Sequence, residues 1–416
     1  MKDINKRDLK MHDSELLLIG TGLVGSSLLA ALCETPISIT VLEKSLPEEK
    51  TTAVADDRPL SLSYGSVQIL KNLGIWNVLA EQACPIQRVH VSEQGRFGNL
   101  QFVAQDYDVD ALGYVVPFQA LQQALFKRAC ENTHVNFIKI EKLVEINANE
   151  SQAKVIFTAN NKTKQCTAKL IIAADGSASP SRKMMGIKTK IKNPHEQAMI
   201  FDLHLASRQQ GVAFERFTKQ GALALLPLWD AKHYRLVWTA TNVQAKTAKT
   251  WSEAALIAFI NDVFNGYTPI VNHVKVLSSF PLQTVIAKEQ SVPGFLLIGN
   301  AAHTIYPLAA QGFNLGLCDV AALAQVLQEA HQQNKSIDTT VVLEKYLIWR
   351  KDDQQKIICL THHIAQLFGL QMPLLGDIRG LGLFGTQLLM PIKHRLAKQL
   401  MGLANPLPNL VRRKIR

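Results

Sequence analysis

A chain of 416 residues exceeds what one hydrophobic core can hold, so two or three packed units are expected. With 47% apolar and 19% charged residues it is neither disordered nor an acidic solvating protein. Its 45 Lys plus Arg against 34 Asp plus Glu leave a net charge of +11, which favours nucleic acid, acidic lipid head groups or phosphate-bearing cofactors without choosing among them.

The run Leu16 to Cys33, LLLIGTGLVGSSLLAALC, is uncharged and follows a basic N-terminus. Its length alone fits a signal peptide or a marginal membrane span, but Asp13 and Glu15 sit directly before it and its glycines have a better explanation. Residues 15–19 read as a buried strand, Gly20-Thr-Gly22-Leu-Val-Gly25 as a turn, residues 26–33 as a helix and residues 37–42 as the next strand, which ends at Glu43. This is the pattern of a dinucleotide-binding βαβ unit. In it Gly20 permits the tight turn, Gly22 lets backbone amides approach a pyrophosphate, and Gly25 allows the helix to pack closely on the strand. The helix N-terminus turns free N–H groups and a positive dipole end toward the phosphates. Glu43 is placed to accept hydrogen bonds from a ribose diol. The plainer alternative, a glycine-containing helix hairpin of the core, explains neither the preceding strand nor the acid that follows.

Residues 66–80 show helical spacing through Val67, Leu70, Leu73 and Val78, and residues 121–130 predict another helix. Strands are expected at 135–140, 153–157 and 168–174. From about 196 to 285 strand patterns dominate (198–204, 222–226, 234–239), which predicts a mostly antiparallel sheet inserted into the nucleotide-binding fold as a substrate domain. The strand at 168–174 runs into Asp175-Gly-Ser-Ala-Ser179-Pro-Ser-Arg182, by itself an ordinary Asp-Gly turn. Another strand leads into Gly299-Asn300-Ala-Ala-His303-Thr-Ile-Tyr306-Pro307-Leu-Ala-Ala-Gln311-Gly312-Phe313-Asn314-Leu-Gly316, ending at Asp319. A helix from about Asn314 to Gln332 again aims its N-terminus at a ligand bearing negative charge.

Residues 341–416 begin helical around Tyr346 and Trp349 and continue past Leu360 and Phe368. They then alternate apolar stretches (Leu381 to Met390) with basic ones (Lys393-His-Arg395, Lys398, Arg412 to Arg416). Such a region fits either a face lying on an anionic membrane or one packed on the nucleotide-binding domain with a solvated basic tail. No aromatic-basic interleaving supports nucleic acid. The six cysteines (Cys33, Cys84, Cys130, Cys166, Cys318, Cys359) lie far apart without C-x-x-C or zinc spacing, which suits a reducing cytoplasm. His362-His363 lacks a third ligand at helical spacing, so it reads as structural and no metal site is expected. No G-x-S-x-G and no paired carboxylates suggest a side-chain nucleophile.

The three glycine motifs in this order resemble the flavoprotein aromatic hydroxylases, which use FAD and reduced nicotinamide. Asp57-Arg58-Pro-Leu-Ser-Leu, Gly113-Tyr-Val-Val116, Ala213-Phe-Glu-Arg-Phe-Thr218, Leu225-Leu-Pro-Leu228 with Leu236-Val-Trp238, and Ala309-Ala-Gln-Gly-Phe-Asn-Leu-Gly316 make the chain similar to their ubiquinone-biosynthesis branch, the 2-polyprenyl-6-methoxyphenol hydroxylases, over roughly residues 14 to 350. Two positions depart from the family pattern. Asn300 stands where Asp is common, and it still hydrogen-bonds a hydroxyl. Ala310 stands where glycine usually precedes Gln311, a change small enough to leave the loop amides available.

The resemblance implies an α/β fold: an FAD-binding Rossmann-like domain of the p-hydroxybenzoate hydroxylase type (residues 1–80, 111–185 and 290–340), an inserted, mostly antiparallel β-sheet substrate domain (81–110 and 186–289), and a helical C-terminal region (341–416). It further implies Gly20, Gly22 and Gly25 on the FAD pyrophosphate and Glu43 on the adenosine ribose. Arg58 would sit near the phosphates or flavin edge, against the alternative of an ion pair with Asp56 or Asp57. Asp175 would position FAD and influence nicotinamide binding, Gly299 and Asn300 would hold the ribityl chain, and the loop Pro307, Gln311, Gly312, Phe313, Asn314 would lie beside the flavin ring. His303 and Tyr306 either bond the substrate or pack. The implied activity is that of a monooxygenase peripheral to the cytoplasmic membrane. FAD reduced by NAD(P)H reacts with molecular oxygen and, through a C4a-hydroperoxyflavin, hydroxylates a polyprenylated methoxyphenol in ubiquinone synthesis, within a complex of pathway enzymes. The rivals are a sister hydroxylase acting at another ring carbon and a non-catalytic FAD-bound subunit. A halogenase would carry W-x-W, and a plain NAD(P) dehydrogenase needs only the first motif.

Overall fold

The computed structural model describes residues 11–45, 58–149, 152–192, 195–308, 310–338, 340–369, 373–404 and 406–412, with backbone only at 11, 12 and 373–375. β1 (Met11–Ile19), α1 (Leu23–Ala31) and β2 (Ile39–Glu43) open the chain, β2 running parallel to β1 with Leu16 beside Ile39. The long uncharged run is therefore divided between a strand and a short helix, because Gly20 turns the chain at a φ of +98°. No helix among the described residues is long and apolar enough to cross a membrane.

β3 (Pro59–Ser63) and α2 (Tyr64–Asn72) follow. The helix predicted over 66–80 breaks, because Gly74 takes a left-handed φ of +75°. It resumes only as the short α3 (Trp76–Leu79), which leaves Val78 exposed instead of on the core face. Next come β4 (Cys84–Ile86), β5 (Arg88–Glu93), β6 (Asn99–Val103), β7 (Gly113–Pro117), α4 (Phe118–Cys130) and β8 (Val135–Lys139). The meander β9 (Lys142–Ala148), β10 (Ala153–Ala159) and β11 (Lys162–Ala173) returns the chain to the centre, where β11 pairs parallel with β1.

After α5 (Pro180–Met184) and β12 (Thr189–Lys192) come β13 (Glu196–Leu205), β14 (Val212–Thr218), β15 (Gly221–Pro227), β16 (His233–Thr241), α6 (Asn242–Ala248), α7 (Glu253–Phe264) and β17 (Val271–Pro281). The chain ends with β18 (Thr284–Ala287), β19 (Ser291–Val292), β20 (Phe295–Leu297), β21 (His303–Thr304), α8 (Gln311–Gln332), α9 (Thr340–Gly369), α10 (Pro373–Leu388) and α11 (Met390–Leu400).

Two large sheets dominate. The eight-stranded one has the order β19-β20-β11-β1-β2-β8, with β10 and β9 extending from β11. Its parallel centre is covered on both faces, which is why β1 is apolar without alternation from Leu16 to Ile19. Leu16 and Leu18 pack with Leu28 and Leu29 of α1, while Leu17 and Ile19 pack with Val155 and Phe157 of β10. The seven-stranded sheet has the order β17-β13-β16-β15-β14-β5-β6 and is antiparallel except where β14 meets β5. Met199, Phe201 and Trp238 face α7, packing on Ile260 and Phe264.

α9 packs on α8, and α10 lies across the β5–β6 hairpin. The latter contact is backbone on backbone. A Cβ on Gly98 (φ +95°) would stand 2.1 Å from the carbonyl oxygen of Gly380, and one on Gly380 would stand 2.1 Å from that of Phe97. Arg379 closes the seam with two bonds to the Glu93 carboxylate, from Nε at 2.9 Å and Nη2 at 2.5 Å. Gly98→Ala is expected to cost about 2 kcal/mol or more in thermal or urea unfolding. Gly95→Ala in the same hairpin, where a Cβ meets nothing within 4 Å, should cost only the left-handed strain of about 1 kcal/mol.

Candidate active site

Three loops meet at the carboxyl ends of β1, β11 and β20, the end of a parallel sheet where ligands bind. They meet so closely that side chains are excluded. A Cβ on Gly25 would lie 2.0 Å from the oxygen of Gly20, and one on Gly20 would lie 2.8 Å from that of Ala174. Val24 fills the space that a Cβ on Gly299 (2.9 Å) or on Gly316 (3.0 Å) would need. Buried Arg182 ties the second loop to the third, donating to the carbonyls of Ala301 (2.7 Å) and Ser177 (2.8 Å). The first, second and third glycine motifs are thus one constellation.

Two acids border it. At the end of β2, Glu43 Oε2 accepts from Thr21 N (2.6 Å) and Oγ1 (2.9 Å), and its Oε1 accepts from the amides of Lys44 (2.9 Å) and Ser45 (3.1 Å). Asp175 accepts from Ser179 Oγ (2.5 Å) and Ser181 N (2.9 Å), holding the start of α5.

Gly22 and Gly312 differ from the other motif glycines. Among the described residues a Cβ on Gly22 would meet nothing within 4 Å, one on Gly312 would meet only Ile305 Cγ1 at 3.9 Å, and neither has a positive φ. Among the described residues nothing requires glycine at these two positions, whereas a ligand pressed against the backbone would. Both stand where α1 and α8 begin, and neither helix has a side-chain cap on its first amides. This is the cradle an anionic dinucleotide fits.

The third loop is held from below by a buried charge cluster. Asp319 on α8 is fully buried and takes three bonds: from His303 Nε2 (2.8 Å), Arg350 Nε (2.6 Å) and Gln354 Nε2 (2.9 Å). Burial alone would raise its pKa, but Arg350 and His303 outweigh that and hold it below the usual carboxylate value. His303 is therefore packed against Asp319, with 1% exposure. Tyr306 lies between the loop and the seven-stranded sheet, its hydroxyl donating to Glu196 Oε2 at 2.7 Å. Burial, then the Glu196 and Glu215 carboxylates, push its pKa up, so it keeps its proton.

The remaining loop residues divide by role. The side chain of Asn314 uses all its capacity within the protein, accepting from Ser63 N (2.9 Å) and Ser66 Oγ (2.7 Å) and donating to the carbonyls of Ser61 (3.0 Å) and Ala310 (2.9 Å), so only its backbone is available to a ligand. Gln311 Nε2 donates to Leu400 O (3.3 Å). Pro307 and Phe313 are half-buried and Asn300 is exposed. Ala310 sits at φ +51°, the left-handed backbone that explains why glycine is usual there. The Arg58 guanidinium lies over the rings of Phe118 (5.0 Å) and Phe280 (5.9 Å). Asp56, Asp57 and Ala309 fall outside the described residues.

A family model described as FAD binding domain matches residues 13–353. The chain belongs to the FAD-binding domain family. It is 29% identical over 395 residues to the 3-demethoxyubiquinol 3-hydroxylase of Escherichia coli K12, covering 94% of this chain and 99% of that protein. It is 26% identical over 399 residues to the ubiquinone hydroxylase UbiM of Neisseria meningitidis, covering 95% and 86%. Its fold is similar to p-nitrophenol 4-monooxygenase PnpA from Pseudomonas putida, with a TM-score of 0.73, 15% identity, and 94% and 99% of the two chains covered. FAD is the cofactor, and the protein is an FAD-dependent monooxygenase of α/β fold, as the glycine motifs led one to expect.

Sequence reasoning missed Val24, Arg350, Gln354 and Glu196. Asp319 was visible as the end of the third motif, but its partners lie on other elements. Gly22→Ala and Gly312→Ala are expected to fold with an unchanged thermal midpoint in the apoprotein while weakening FAD binding about tenfold or more, read by flavin fluorescence titration. Asp319→Asn, which leaves Arg350 buried beside a neutral group, should cost about 3 kcal/mol in urea unfolding.

Proposed function

We propose that the chain hydroxylates the aromatic ring of a polyprenylated methoxyphenol in ubiquinone synthesis. The observation that carries the reading is the pair of sterically unexplained glycines, Gly22 and Gly312, set against a sheet whose facing surface is floored by small side chains. Ala198, Thr239 and Ala222 stand side by side on β13, β16 and β15, on the face away from α7 and next to Tyr306. This reading sets the substrate ring on the Tyr306 side of that row, whose Ala198 and Thr239 are themselves buried. The names of the E. coli and Neisseria relatives support a ubiquinone-pathway phenol as that ring.

In this reading the Gly20–Gly25 turn receives the FAD pyrophosphate and Glu43 the adenosine ribose. Arg58 and Asp175 flank the cofactor, Gly299 and Asn300 hold the ribityl chain, and the backbone from Pro307 to Asn314 lines the flavin ring. Bound FAD, reduced by NAD(P)H, supplies the activation of oxygen. The chain's own residues exclude water, orient the phenol and hold a proton on Tyr306 Oη against Glu196. Residues 1–80, 111–185 and 290–340 serve as the cofactor domain, 81–110 and 186–289 as the substrate domain, and 341–416 as the C-terminal region. The protein works at the cytoplasmic face of the membrane, beside other enzymes of the pathway.

The test is the visible spectrum of the FAD-loaded protein under NADPH or NADH, with and without a prenylated methoxyphenol. Bleaching about tenfold faster with the phenol, and a product heavier by one oxygen atom, are expected. A flavin spectrum indifferent to both additions would sink the hydroxylase reading in favour of a flavin-bound scaffold.

A further inference from the structure

α10 has two faces of opposite character. One is closed on the β5–β6 hairpin by the Gly98–Gly380 contact and the Arg379–Glu93 pair, so the helix cannot roll. The other carries Ile378, Leu381, Phe384 and Leu388, at spacings of three and four, and continues into Ile392 at the start of α11. Phe97, at the hairpin tip, has its ring centroid 5.3 Å from that of Phe384. These six side chains are between 40% and 69% exposed, a continuous apolar patch of the kind that marks an interaction surface.

The charge around the patch selects its partner. Residues 381–392 contain no charged side chain, and Asp377 just before the stripe is paired with Arg96 at 2.8 Å. Arg395 and Lys398 are exposed; Arg395 follows Pro391 by four and Ile392 by three, and Lys398 follows Arg395 by three, on the same side of α11. Lys393 instead turns inward to Asp106 Oδ2 at 3.4 Å. A second copy of the chain would bring the same positive charge to the contact and repel, whereas an anionic bilayer complements both the apolar stripe and its basic end.

We propose that Phe97, the outer face of α10 and the start of α11 dock the protein on an anionic lipid bilayer, the apolar side chains entering the head-group layer and Arg395 and Lys398 resting on lipid phosphates. The link to activity rests on the hydroxylase reading, because a polyprenylated phenol resides in a bilayer. α11 also joins the patch to the site: Leu400 O accepts from Gln311 Nε2, and Met401 O accepts from Gly65 N at 2.8 Å.

The test is sedimentation of the full FAD-loaded chain with vesicles of phosphatidylcholine alone, or with about 30% phosphatidylglycerol. Binding to the anionic vesicles, little binding to the neutral ones, and release by about 0.5 M NaCl are expected. Both L381S/L388S and R395Q/K398Q should lower the anionic-vesicle partition about fivefold or more, with flavin absorbance and thermal midpoint unchanged. A wild-type chain that stays in the supernatant, or variants that sediment as well as it does, would overturn the proposal. So would a wild-type dimer that L381S/L388S converts to monomer without any vesicle binding, which assigns the face to a second copy. No nicotinamide or phenol enters the measurement, so docking and the hydroxylase reading stand or fall separately.

Discussion

A β-carbon on Gly25 would stand 2.0 Å from the carbonyl oxygen of Gly20, and the neighbouring Val24 already occupies the space that one on Gly299 would need. The rest of the site depends on this closeness. Three loops from three parallel strands come within backbone contact, and α1 and α8, which two of these loops open, pack against each other. Glycine serves two purposes within the constellation. At Gly20, Gly25, Gly299 and Gly316 it admits other parts of the protein, and at Gly22 and Gly312 it leaves open space. Only the second kind carries information about a ligand.

The loop running from β21 into α8 contains Ala310 in a left-handed conformation, costing about 1 kcal/mol, and it is held by charges placed in the core. Replacing a buried ion pair with apolar groups is often neutral or stabilising, so the Asp319 cluster is poorly explained as a source of stability. What it does is fix geometry. One carboxylate satisfied from α9 twice and from the loop once leaves α8, α9 and His303 a single mutual arrangement. Asp353 extends that arrangement to α11 through Gln399 Nε2, at 2.5 Å. The C-terminal helices are therefore mechanically part of the cofactor side of the molecule and not an appendage.

The same helices reach the other sheet. α10 presses its glycine on the β5–β6 hairpin while α11 touches the loop at Gln311, so both the sheet with the alanine floor and the cofactor loop are braced by one region.

Much of the architecture was legible in the chain itself. The βαβ unit, the strands from 134 to 175 and from 196 to 241, and the helix opening on the third motif all follow from hydrophobic period and glycine spacing, which are local properties. The break at Gly74 was not legible, since a single glycine within a helical pattern is commonly tolerated and only the left-handed φ shows that it ends the helix. Nor were the partners of the charged groups: His303 and Arg350 meet at Asp319 from 16 and 31 residues away, and Tyr306 meets Glu196 across 110. Periodicity reports that α10 has an apolar stripe, but not which side is covered. That was decided by Gly98, hundreds of residues earlier in the chain, because a backbone without a side chain is what lets Gly380 approach and turns Leu381 and Leu388 outward.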